Sequence, residues 1–170
     1  MALSPLSSQP SATEPDWTRE SLQRWWEPNK QLIRSIRCYQ KWQNRGPIGH
    51  WLQKYFVLEH RFWSVVTGAD IPLNCQFAGG LVLLHPNGVV INPIDTYIGP
   101  NCIIFQQVTI VGGVHIGGNV LIGAGAKIIR PVNIGNDVWI GANAVVLQDI
   151  AAGQVVAGIP ARVIKSLYAD

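Results

Sequence analysis

An aliphatic residue recurs every six positions through the second half of the chain: Ile98, Ile104, Ile110, Ile116, Ile122, Ile128, Ile134, Ile140 and Val146. An α-helix repeats near 3.6 residues and a strand repeats at two, so neither produces a strict six. Short strands joined by tight corners and stacked coil upon coil do produce it. A longer period lies inside the first. Ile98, Ile116 and Ile134 are each followed by glycine, whereas Ile110, Ile128 and Val146 are each followed by a bulky aliphatic residue. Asn101, Asn119 and Asp137 share one phase, and Asn and Asp tolerate a sharp corner. These sets repeat every 18 residues. Three hexads therefore make one coil, and the three sides differ chemically. The fourth position after each aliphatic residue is small or medium (Cys102, Val108, Val114, Val120, Ala126, Val132, Val138, Ala144), as a narrow interior requires. The expectation is mainly β: a hexapeptide-repeat prism over 68–166, about five coils and about 24 Å tall at ordinary strand spacing.

Ile71, Phe77, Leu83 and Val89 are also six apart but out of phase by three with the later series. The stretch Asn92–Tyr97 is expected to absorb the three extra residues. Leu83 then lies under Ile104, and His85 falls in one column with Gln106 and Ala124.

The N-terminal part has a different character. Residues 1–16 are rich in Ser, Pro and Ala and lack an apolar stretch, so they read as a disordered tail rather than a signal peptide. Residues 17–67 read as helical. One helix is expected over Asn29–Arg45, with Leu32, Ile36, Tyr39 and Gln43 on one face. Gly46–Gly49 interrupts, and a second helix is expected over His50–Val66, with Trp51, Tyr55, Leu58, Phe62 and Val65 on one stripe. That aromatic stripe calls for a cover, either the prism or another subunit. His50 and His60 lie on these helices without a ligand-spaced partner and read as structural. Residues 167–170 read as a C-terminal tail.

Composition narrows the classes further. The chain is 48% apolar and 14% charged, which suits a folded core, and its net charge of +3 is too small to argue for nucleic acid. The first 66 residues hold nine Lys or Arg against five acids, a pattern read as a solvated face. Cys38, Cys75 and Cys102 show no metal-like spacing and suit a reducing, cytoplasmic setting. No run is long enough to span a bilayer.

Several stretches together resemble the hexapeptide-repeat acyltransferases, and most closely the serine acetyltransferases. They are "GADIP" (Gly68 to Pro72), "LLHPNGVVI" (Leu83 to Ile91), "IFQQVTIVGG" (Ile104 to Gly113), "IGAGAKII" (Ile122 to Ile129) and "VVAGIPARVIK" (Val155 to Lys165). The resemblance implies a left-handed coil, the exception to the usual right-handed crossover. It implies acetyl-CoA as co-substrate, no metal, and a homotrimer with sites between subunits, which the tryptophan-rich helices could extend to a hexamer. It makes His85 the general base, a role that suits an imidazole. Leu84, Asn87 and Gln106 become candidate acceptor contacts. Gly112, Gly113, Ala124, Gly125, Lys127, Arg130, Ala157, Gly158 and Pro160 become candidate contacts of CoA, with the N–H groups near Gly112 and Gly113 as oxyanion donors.

Two departures bear on the acceptor. Serine acetyltransferases carry aspartate before the histidine, where this chain has Leu84. Their longer glycine-rich loop supplies a second active-site histidine and an arginine. Here the loop is "VGGVHIGG" (Val111 to Gly118), so His115 is either a stand-in or a surface histidine. The implied activity is acetyl transfer to a hydroxyl of a small, serine-like acceptor. Transfer to a sugar or polysaccharide hydroxyl is the alternative. A non-catalytic scaffold and a zinc carbonic anhydrase-like protein are further readings. The last needs three histidine ligands, and only His85 and His115 lie in the prism.

Overall fold

A computed structural model of the chain describes residues 10–168. Two helices precede a parallel β-prism with three faces. The first face stacks Gln76–Phe77, Tyr97–Ile98, Val114–Ile116 and Val132–Ile134. The second stacks Val82–Leu83, Ile103–Ile104, Leu121–Ile122, Trp139–Ile140 and Gln154–Ala157, with Arg162–Ser166 added antiparallel at the top. The third stacks Val90–Ile91, Thr109–Ile110, Lys127–Ile128 and Val145–Val146. Four coils are complete. Bridges from Asp70 to Val90 and from Ile134 to Ile150 add a partial coil at each end. The expected five coils are thus four full ones and two fragments.

The hexad residues point inward and form the core. Ile98, Ile104, Ile110, Ile116, Ile122 and Ile128 are each at most 2% exposed. Corners turn through left-handed residues. On the edge between the first and second faces these are Gly80, Asn101, Asn119, Asp137 and Gly153. Asn and Asp adopt this conformation at modest cost, which explains the shared phase seen in the sequence.

The phase break divides in two. Twenty-one residues separate Phe77 from Ile98 and Leu83 from Ile104, nineteen separate Ile91 from Ile110, and eighteen separate the later pairs. Two of the three extra residues therefore lie between Leu83 and Ile91, and one lies between Ile91 and Ile98. This corrects the single insertion expected at Asn92–Tyr97. The hexad residue of the third face is Ile91, not Val89.

The helices run over Pro28–Lys41 (α1) and Gly46–Thr67 (α2). Pro28 and Pro47 sit in the first turns, where a missing N–H costs no bond. The Gly46–Gly49 segment is accordingly the start of α2 and not a break. On α1, Leu32, Ile33 and Ile36 are buried, while Gln43 lies beyond the helix. On α2 the buried face is Gly49, Phe56, His60, Trp63 and Thr67. The prism does not cover the aromatic stripe, which faces out of the chain with Trp51 at 72% and Val65 at 84% exposure.

The tail expected to be disordered is held from Ser11 onward. Asn101 Nδ2 donates to the Ser11 and Glu14 carbonyls, and Asn101 Oδ1 accepts from Asp16 N–H at 2.8 Å. Arg37 clamps the next turn through a bidentate pair with Glu20 and bonds to the Phe77 and Ala78 carbonyls. The segment covers the edge between the first and second faces. Residues 1–9 of the expected tail, and 169–170 at the other end, lie outside the described residues. Leu167 N–H bonds the Gly153 carbonyl, and the Tyr168 hydroxyl donates to Asp137.

Candidate active site

The two-residue excess after Leu83 makes the edge between the second and third faces project as a turn carrying His85. Leu84 N–H still pairs with the Ile104 carbonyl at 3.0 Å, so the chain leaves the regular stack only after it. Val89 N–H closes a turn onto the Pro86 carbonyl at 3.0 Å, with Gly88 at φ +70°. A side chain at Gly88 would be strained by that φ and would meet Gln107 Cγ at 3.3 Å. Beneath the turn, Gly88 N–H bonds the Gly68 carbonyl at 2.8 Å, and Gly68 itself ends α2 in the left-handed conformation. The turn is thus fastened below to the helix end and above to the next coil.

His85 is exposed, and no described residue hydrogen-bonds its ring. It opens on a cleft of about 380 Å³. The walls are Pro28 and Asn29 from the start of α1, Val66 and Thr67 from the end of α2, and Leu84, Pro86 and Asn87 from the turn. Asn29 Nδ2 holds the Leu83 carbonyl at 3.0 Å, which ties α1 to this edge. No lysine, arginine, aspartate or glutamate lines the cleft. Leu84 contributes a 41% exposed apolar wall.

The edge continues upward from His85 as a ladder of corners. Gln107 N–H bonds the Asn87 carbonyl at 2.9 Å, Gly125 N–H bonds Gln106 at 2.8 Å, Asn143 N–H bonds Ala124 at 2.8 Å, and Val145 N–H bonds Gly158 at 3.0 Å. Ala124, Gly125, Ala157, Gly158 and Pro160 therefore share one edge with His85. Gln106 joins them, part-buried, with its Oε1 enclosed and without a partner. The two extra residues displace His85 from the strict column expected with Gln106 and Ala124. The register of Leu83 beneath Ile104 and Ile122 is as expected.

Other candidates lie elsewhere. Gly112, Gly113 and Arg130 occupy the edge between the third and first faces. Gly113 N–H is already bonded to the Ile94 carbonyl at 2.8 Å, so it is not a free oxyanion donor. His115 lies in register between Tyr97 and Asn133 on the first face, opposite the His85 edge. Its Nε2 is 3.4 Å from Asp95 Oδ1, and both side chains are exposed. Within one chain, His85 and His115 do not meet. Lys127 projects from the third face, with its ammonium held by the Gln107 carbonyl and Thr109 Oγ1.

The hexad spacing gave no sign that the helix ends wall the cleft. It also passed over Asp70, an exposed carboxylate whose backbone bridges Val90 just past the His85 turn. The left-handed Gly68 that ends α2 was the available signal for both. Among the described residues, no three His, Cys, Asp or Glu side chains cluster so as to hold a metal ion.

A family model of the bacterial transferase hexapeptide (six repeats) matches residues 95–130. No curated protein matches the chain. Among solved structures, a serine acetyltransferase in complex with CoA is 28% identical with a TM-score of 0.69, over 82% of this chain and 58% of that one. The soybean serine acetyltransferase apoenzyme is 28% identical with a TM-score of 0.68, over 82% and 58%. The Neisseria gonorrhoeae serine acetyltransferase is 27% identical with a TM-score of 0.69, over 85% and 58%. The chain thus spans less than three-fifths of the length of these three proteins. The repeat match, the three-faced prism and these likenesses mark the chain as a hexapeptide-repeat protein, serine acetyltransferase-like, on a left-handed β-helix.

Proposed function

We propose that the chain transfers the acetyl group of acetyl-CoA to a hydroxyl of a small acceptor, with His85 as general base. The observation that carries this is the His85 turn. It is an eight-residue excursion in a six-residue repeat, pinned above and below, that presents a free imidazole to a cleft. The ring takes the hydroxyl proton as the oxygen attacks the thioester carbonyl. The C–O bond forms, the C–S bond breaks, and the proton passes to the departing thiolate. A positioned base of this kind contributes about 10²–10⁴-fold. Ala124, Gly125, Ala157, Gly158 and Pro160 offer a smooth edge above it for CoA.

The remaining candidates suit a homotrimer. The N-terminal segment covers one prism edge. Of the two others, one carries His85 and the other carries Gly112, Gly113 and Arg130. A ring in which these two edges meet unites them, and brings the first face with His115 alongside. The uncovered stripe of α2, with Trp51, Tyr55 and Leu58, supports pairing of such rings into a hexamer. Free Cys38, Cys75 and Cys102 support a cytoplasmic setting. No helix of the described residues is long and apolar enough to cross a membrane.

The structural neighbours support a serine-like acceptor. The cleft favours a second reading, an uncharged hydroxyl such as that of a sugar, because a zwitterion finds no opposite charge among the described walls. Thiol release from acetyl-CoA with serine, homoserine and a panel of sugars separates the two. The second reading expects sugars to outpace serine in the native chain and Leu84→Asp to shift the preference toward serine. No thiol release with any acceptor would leave the scaffold reading.

A further inference from the structure

Lys127 carries a positive charge on the third face, beside the edge proposed for CoA, yet its ammonium is engaged within the chain. It lies 2.7 Å from the Gln107 carbonyl and 3.1 Å from Thr109 Oγ1. Thr109 is its register partner one coil below.

Gln107 is an unusual residue for its position. The left-handed residues of this edge are Gly88, Gln107, Gly125, Asn143 and Gly158. Four are glycine or asparagine, which adopt φ > 0 readily. Gln107 adopts φ +59° with a long side chain that gains no local compensation. What holds it is visible on either side. Its N–H bonds the Asn87 carbonyl at 2.9 Å, and its carbonyl receives the Lys127 ammonium. Its Cγ packs where Gly88 leaves room. The links run unbroken from Lys127 through Gln107 to Asn87, two residues from His85, across three successive coils.

We infer that Lys127 is a positioning residue: it holds Gln107 in the left-handed corner and thereby fixes the seat of the His85 turn. Its effect on turnover rests on the proposed role of His85, whereas the tie itself does not.

The test compares Lys127→Met, Lys127→Arg, Gln107→Gly and the Lys127→Met/Gln107→Gly double variant. Amide hydrogen exchange reads the tie without any reaction. Lys127→Met is expected to speed exchange at Gln107 and across 84–89, and Lys127→Arg to restore protection. In the Gln107→Gly background, where the corner carries no strain, Lys127→Met is expected to add little. Steady-state kinetics read the consequence. Lys127→Met is expected to lower kcat about tenfold while the KM for acetyl-CoA stays within about twofold. Unchanged exchange in Lys127→Met would overturn the tie. A raised KM for acetyl-CoA at unchanged kcat would make Lys127 a phosphate contact instead. A wild-type chain inactive with every acceptor would remove the role of His85, and exchange would still decide the tie.

Discussion

Ile91 stands in register beneath Ile110, eight residues after Leu83, where every hexad from Ile98 to Val146 takes six. Those two surplus residues project His85. Deleting Pro86 and Asn87 restores the hexad count at this edge. The shortened chain is expected to keep its prism, read as an unchanged far-ultraviolet circular dichroism spectrum, while losing thiol release from acetyl-CoA. Full turnover by the deletion variant would show that the excursion has no bearing on activity.

The prism is held by its inward columns. Ile122 is fully buried between Ile104 below and Ile140 above. Ile122→Ala is expected to destabilise the fold by about 2–5 kcal/mol, the transfer loss plus the cavity left in a narrow interior. Urea unfolding monitored by tryptophan fluorescence gives the value. A loss well under 1 kcal/mol would mean that the coils collapse around the gap.

Asn101 is 1% exposed and bonds three points of the segment 11–16 through its side chain. Asn101→Gly keeps the left-handed corner and removes only those bonds. Limited proteolysis is expected to cut between residues 10 and 20 faster in this variant, with the prism still resistant. Equal cutting rates would show that Arg37 and Glu20 suffice to hold the segment.

His60 is buried between α1 and α2, with Nδ1 3.0 Å from Ser35 Oγ. Burial pushes its pKa below the usual 6.5, and outweighs the Ile71 carbonyl and the Asp70 charge that favour the proton. Above pH 6.5 the ring is neutral whether folded or unfolded, and its contribution is fully present. As pH falls below 6.5 the unfolded chain takes up a proton that the folded chain resists, so stability declines until the depressed folded pKa is passed. The urea midpoint is expected to drop between pH 7 and pH 5.5, and to drop less in His60→Gln. Equal declines in both chains would assign the effect to other groups.

The repeat, the inward aliphatic residues and the corner Asn and Asp were all legible in the sequence, because a period of six admits few folds. The position of the phase break was not. Val89 sits six residues after Leu83 and is itself fully buried, so it masks Ile91 as the hexad residue. Which face of α2 packs within the chain was not legible either. Trp51, Tyr55, Leu58, Phe62 and Val65 form an apolar stripe at helical spacing, but Phe56, His60 and Trp63 form another, and only docking to α1 chooses between them. The walls of the His85 cleft were hidden for a related reason. They come from the start of α1 and the end of α2, tied to this edge by the Asn29–Leu83 and Gly88–Gly68 hydrogen bonds, which spacing within the repeat does not encode.

The most direct test of the account is thiol release from acetyl-CoA by the native chain and by His85→Ala, with the best acceptor of the panel at saturation. The account predicts a loss of about 10²–10⁴-fold in kcat for His85→Ala, with the KM for acetyl-CoA little changed. Turnover by His85→Ala at the native rate would contradict it.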